Sequence, residues 1–186
     1  MEIKEVQSIL TIGETVAVEF KRCGNGIEND TYETVCSFLN RFGGDLFMGI
    51  LDDGTVVGIP EKAAPDMVKN FIKVISNPTL FSPTIYLVPE IIKYDESHTI
   101  IHVHILPSAE VHSFKKVIYD RVDDADIKIT STSAIAQMYI RKQNIFTEKK
   151  IYPYAKTRNT TFNLSPPYPA ALQGIAKRYR GLPLTA

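Results

Sequence analysis

At Gly43-Gly44 the spacing of the hydrophobic residues changes from that of a helix to that of an extended chain, and this change limits the fold more than any other feature. Before it, Tyr32, Val35, Cys36, Leu39 and Phe42 recur at three- and four-residue intervals, which predicts a helix with these five on its buried side. Asp30 followed by Glu33 predicts a capping-box variant at the start of that helix, and the glycine pair predicts its end. Beyond the glycines, Leu46-Phe47-Met48-Gly49-Ile50-Leu51 is a continuous apolar run, which suits a strand covered on both faces. Asp53-Gly54 then predicts a tight hairpin, with residues 55–59 as the return strand.

The flanking segments extend the same grammar. Upstream, Val16, Val18 and Phe20 alternate with Thr15, Ala17, Glu19 and Lys21, giving a strand whose less apolar face ends in a carboxylate and an amine. Ile3, Val6, Ile9 and Leu10 predict a helix ahead of it. Downstream, Pro65 opens a helix whose stripe is Met67, Val68, Phe71, Ile72 and Ile75, and Asn77-Pro78 ends it. Strands are expected over 85–94 and 99–106, then over 117–122 and 127–130 around Asp123-Asp124-Ala125, followed by a helix over 133–142. Strands joined mainly by hairpins, with helices between them, predict an α+β fold: a mixed sheet with helices packed on it. Residues 1–153 are read as one domain. Residues 154–186 form a basic, polar, proline-bearing tail, weakly structured, with 170–179 its candidate helix.

Charge is divided unevenly although the net charge is zero. Residues 1–136 carry 12 Lys and Arg against 20 Asp and Glu, whereas residues 137–186 carry 9 against 1. A basic end on an acidic body fits a polyanion-binding surface, and it fits equally a tail that docks on its own body. Cys23 and Cys36 form no CxxC pair, and the first residues include acids and no long apolar run. The expectation is therefore a cytoplasmic protein that makes no use of a membrane.

Several stretches together resemble the Schlafen/AlbA-type domain, a family that includes bacterial DNA-binding members. They are Glu14 with Glu19-Phe20-Lys21, the helix end Ser37-Phe38-Leu39-Asn40-Arg41-Phe42-Gly43-Gly44, and the Gly49 to Gly58 segment with Asp52-Asp53-Gly54. Tyr119-Asp120-Arg121 and Met138-Tyr139-Ile140-Arg141-Lys142 resemble a second signature of bacterial members. The resemblance implies a compact α+β domain that binds nucleic acid, as a transcriptional regulator or as the sensor of a longer protein. It also implies a rival reading, because some eukaryotic members are metal-dependent ribonucleases. Carried over by motif, their acidic set is Glu14, Glu19 and Asp52, with Asp53 as the alternative to Asp52 and Mg or Mn as the metal. Leu51 departs from the run of acids common in the family hairpin.

The residues themselves allow both readings. Magnesium and manganese take carboxylate and water oxygens, so Glu19 with an acid from a neighbouring strand end makes a candidate metal site, and Lys21 a partner for phosphate charge. Glu14 is five residues from Glu19 and joins only if the chain bends near Gly13. For DNA or RNA binding the candidates are Lys21, Arg22, Arg41, Arg121, Arg141 and Lys142, with Lys149 and Lys150 beyond them, as phosphate contacts. Tyr119, Tyr139 and Phe146 are candidates for stacking on bases. His102 and His104 share a strand face, a plausible metal pair needing a third ligand from His98 or His112. A protein-interaction module, alone or as a homo-oligomer, is the third functional class. No GxxxxGK[ST] loop is present for a nucleotide phosphate.

Overall fold

In a computed structural model, residues 1–24 and 26–147 are described, all within the compact unit Met1–Lys150. The elements are α1 (Ile3–Ile12), β1 (Val18–Lys21), α2 (Asn29–Asn40), β2 (Gly44–Met48), α3 (Ala64–Ile75), β3 (Phe81–Ser82), β4 (Glu90–Lys93), β5 (Thr99–Ile105), β6 (Ser113–Phe114), β7 (Ile118–Val122), β8 (Ala125–Ile129) and α4 (Thr132–Thr147). The expected tail over 154–186 and its helix lie outside the described residues.

Four strands form the main sheet in the order β1-β2-β5-β4. β1 and β2 are parallel, which requires the crossover that α2 supplies, and the remaining neighbours are antiparallel. Side chains alternate between the two faces. Leu46, Met48, Ile101, Val103 and Ile105 meet the buried stripes of α2 and α3, including Val35, Phe38, Met67 and Phe71. Phe20, Phe47 and Ile100 point the other way and pack with Val6 of α1. β2 is thus covered on both faces, as its apolar run predicts. The architecture is α+β, with two further two-stranded ladders, β3-β6 and the hairpin β7-β8.

Four local expectations are corrected. The return strand over 55–59 does not form. β2 already has β1 on one side and β5 on the other, so the chain after it makes only isolated bridges, Ile50 to Val56 and Ile59 to Thr99. The capping box at Asp30 and Glu33 is absent. The Asp30 carboxylate accepts the N–H of Thr31 at 2.8 Å, and Glu33 accepts the Tyr119 hydroxyl at 2.8 Å. The strand expected over 85–94 is confined to β4; Pro83 and Pro89, which lack N–H donors, flank the unpaired stretch before it. Phe42 leaves the buried stripe because α2 stops at Asn40 and Arg41 turns away, with φ −116° and ψ −110°.

The glycines after Phe42 fix how the helix meets the sheet. Gly43 has φ +75°, and a Cβ there would lie 2.3 Å from the Ile105 carbonyl oxygen. At Gly44 it would lie 2.7 Å from both the Ala17 carbonyl oxygen and the Phe38 ring. Only bare backbone lets α2 turn this closely into β2.

Candidate nucleic-acid interface

The carboxylates of the expected acidic site come into electrostatic range of one another. Burial pushes the Glu14 carboxyl above its ordinary value; the Phe20 N–H opposes this, and the charges of Glu19 and Asp52 add to it. The chain bends as that grouping needs, through paired hydrogen bonds between Thr15 and Val18. Glu14 thereby reaches the edge of β1, where it accepts the Phe20 N–H at 2.9 Å.

Glu19 is engaged inside the protein. One oxygen pairs with Lys21, and the other accepts from Arg121 at 2.5 Å. Arg121 is 1% exposed. It also holds Asp126 at 3.0 Å, donates to the Thr15 carbonyl at 3.1 Å, and lies over the Phe38 ring at 5.1 Å. Asp126 in turn accepts from Thr34 at 2.6 Å and from Ser37. The chain Lys21–Glu19–Arg121–Asp126 therefore ties the β7-β8 hairpin to β1 and α2. A divalent metal at Glu14, Glu19 and Asp52 does not fit this arrangement. Both Glu19 oxygens are taken by cations, one Glu14 oxygen is taken by backbone, and no three His, Cys, Asp or Glu among the described residues are placed to hold a metal ion.

The expected basic residues separate into two groups. Arg121 and Lys142, read from sequence as phosphate contacts, are corrected to interior positions. Lys142 is 2% exposed and donates to the Leu39 and Ser108 carbonyls at 2.7 and 2.8 Å, near the end of α2. Arg22 is exposed, and half-buried Lys21 reaches Asp30 at 3.6 Å as well as Glu19. Arg41 and Arg141 are half-buried and converge on a single oxygen of Asp120, at 3.2 and 3.0 Å. Arg141 also donates to the Asn40 carbonyl at 3.3 Å, so the same nitrogen joins the C-terminal end of α2 to Asp120 of β7. Arg41 Nε is buried without a partner.

Three cations and one carboxylate therefore share the end of α2. Burial pulls Lys142 down from its ordinary value to about 8, and the charge of Arg141 lowers it further against the pull of Asp120. Beside them Phe42 is 63% exposed, with the Arg41 guanidinium 5.2 Å from its ring centroid. Phe42 was not among the aromatic residues expected to stack. The five-residue stripe placed it inside, and the signal against that placement is its position after Asn40, directly before two glycines.

Of the aromatic candidates, Tyr119 is buried with its hydroxyl on Glu33. Tyr139 is exposed on the wall of a cleft of about 430 Å³ that also includes Pro83, Glu110 and Gln143. The Phe146 side chain, Lys149 and Lys150 lie outside the described residues.

The four histidines do not come together as one group: two share a carboxylate oxygen and the other two have separate partners. His102 Nε2 and His104 Nδ1 each lie 2.8 Å from the same oxygen of Asp45. His98 pairs with Asp95, and buried His112 bridges the Pro83 carbonyl and the Ser108 hydroxyl.

This is an α+β domain in which two half-buried arginines, paired with one carboxylate, lie beside an exposed aromatic ring. The family model described as Schlafen, AlbA_2 matches residues 14–130, more than half of the chain, and the chain belongs to that family. Among solved structures it is similar to the DIP2311 protein of Corynebacterium diphtheriae, with 17% identity and a TM-score of 0.51 over 95% of this chain and 37% of that one. The chain thus spans little more than a third of that relative's length. It is also similar to the N-terminal domain of a RecG-related protein of Nitrosomonas europaea, with 18% identity and a TM-score of 0.42 over 69% of this chain and 91% of that one. No curated protein matches. Among the described residues no helix is long and apolar enough to cross a membrane.

Proposed function

We propose that this domain binds nucleic acid at the end of α2, with Arg41 and Arg141 as its phosphate contacts. The observation that carries this reading is the convergence of both guanidinium groups on one oxygen of Asp120. Each guanidinium has five N–H donors, and the hydrogen bonds at this end use one from Arg41 and one nitrogen of Arg141. Donors remain on both, and the local charge stays positive on a body that is otherwise acidic. Phosphate suits such a fork because two of its oxygens can accept two parallel N–H bonds from one guanidinium, as the two oxygens of a carboxylate do. Membership of the Schlafen, AlbA_2 family is consistent with a nucleic-acid role. Regulation of transcription, or sensing by a longer protein, would use this contact to place other parts on the nucleic acid.

The test is fluorescence anisotropy with labelled oligonucleotides across a salt series, using the whole chain. Binding is expected to weaken with salt. The slope of log affinity against log salt should fall by roughly 0.7–0.9 for each phosphate contact removed in Arg41→Ala or Arg141→Ala. Circular dichroism of the variants confirms that they fold. Binding unchanged in the double variant would place the contact elsewhere. An absence of binding by the wild type, even at low salt, would leave the protein-interaction module as the function.

A further inference from the structure

We infer that the end of α2 takes an unpaired strand, with a base stacked on Phe42 and its phosphate held by Arg41 and Arg141; this rests on the nucleic-acid reading above. Three observations carry it.

First, the ring is offered to solvent by the backbone. Phe42 is 63% exposed, and it follows the point where α2 breaks off at Asn40. Gly43 and Gly44 then hold the chain against β5 and Phe38 too closely for any Cβ, so the turn that carries Phe42 is fixed at its base.

Second, the ring is already half of a stack. The Arg41 guanidinium lies 5.2 Å from its centroid, and the ring still keeps most of its area open. A cation near one side of an aromatic ring leaves the rest of its surface to a base, and every base has a flat π-surface.

Third, the position of Arg41 is set by other groups. Its Nη1 is held by Asp120, which Arg141 also holds. Asp120 in turn accepts the Arg121 N–H at 3.0 Å. Stacking and phosphate contact are therefore built from the same arginine. This asks for a base and its backbone phosphate to be reachable together, as in a single strand, a loop or a frayed end. A paired duplex hides the flat side of each base between its neighbours.

The class of ligand follows from that geometry. It is an unpaired strand of DNA or RNA with little dependence on base identity, because stacking uses the π-surface and not the hydrogen-bonding edge.

The test compares four fluorescein-labelled probes at one low salt concentration: a 20-nucleotide thymine strand, the matching ribo-uridine strand, a 20-base-pair duplex, and a strand of equal length whose sugars carry no bases. The expected result is tight binding of both base-bearing single strands and weaker binding of the abasic strand and the duplex. Phe42→Ala should weaken the base-bearing single strands by about 5- to 150-fold, as loss of one stacked base does, and leave the abasic strand unchanged. Phe42→Trp should restore the preference, which separates stacking from a change in the fold.

Equal affinity for duplex and single strand, or for abasic and base-bearing strands, would overturn the inference while leaving the phosphate reading intact. An unchanged single-strand affinity in Phe42→Ala, together with a loss in Arg41→Ala, would do the same. Binding of no probe at all would overturn both readings together.

Discussion

Replacing Arg121 with methionine tests whether the buried ion chain holds the fold. The methionine keeps most of the side-chain volume and removes every donor. In the native protein the guanidinium is 1% exposed and contacts Glu19 at 2.5 Å, Asp126 at 3.0 Å and the Thr15 carbonyl at 3.1 Å. After the substitution Glu19 keeps only Lys21, and Asp126 keeps the hydroxyls of Thr34 and Ser37. Breaking a buried pair by removing one partner costs about 3–5 kcal/mol. Because both carboxylates retain some partner, the loss belongs near the lower end, about 3 kcal/mol. For a domain of this size each kcal/mol lowers Tm by about 2–4 °C, so the expected drop is roughly 6–12 °C. Thermal melts followed by circular dichroism, with urea titrations of Glu19→Gln, Arg121→Met and the double variant, give the measurement. The two single losses should exceed the double loss by about 1–3 kcal/mol when summed, as coupled neighbours do. A loss below about 1 kcal/mol in Arg121→Met, or strict additivity, would refute the view that this network ties the β7-β8 hairpin to β1 and α2.

Two further outcomes follow from the same geometry. Lys142 has its pKa lowered in the fold from 10.5 to about 8, so between about pH 8 and 10.5 the unfolded chain holds a proton that the folded one has released. Stability contributed by this group should therefore rise with pH across that window, by up to about 1.4 kcal/mol per pH unit, and Lys142→Met should flatten the rise. Urea midpoints of both proteins at pH 7.5, 9 and 10 check it, and a wild-type slope equal to that of the variant would count against it. Gly43→Ala forces a Cβ to within 2.3 Å of the Ile105 carbonyl oxygen at a φ of +75°. It should cost about 2 kcal/mol or more, read as a lowered denaturation midpoint, whereas Gly26→Ala, with open space around its Cβ position, should not.

The elements of the main sheet were largely legible because each wears its period openly. The stripe over Tyr32 to Leu39, the run Leu46-Phe47-Met48, and the alternation through Val18 and Phe20 reflect local burial patterns. The Asp53-Gly54 turn was legible as well, but its return strand was not. Whether a strand pairs with its sequence neighbour depends on which distant strand already holds that edge, and here β5 does. The same limit applies to the end of α2. A stripe read at helical spacing continues through Phe42, and only the close contact of Gly43 with Ile105 and of Gly44 with Phe38 decides that the helix stops earlier.

The sequence by itself determined the family, the α+β class, and most of the residues that meet in the two polar clusters. Motif order and hydrophobic period are local properties, and they survive without knowledge of distant contacts. Tertiary structure alone decided what those residues face. Glu19 and Arg121 are 102 positions apart, yet they neutralise one another in the interior, which removes both from the surface where sequence had placed them. Lys142 turns inward to the carbonyls of Leu39 and Ser108, while Arg41 and Arg141 stay partly open around Asp120. A charge in the sequence has a sign and a spacing, but its availability to a ligand depends on which other charge the fold brings beside it.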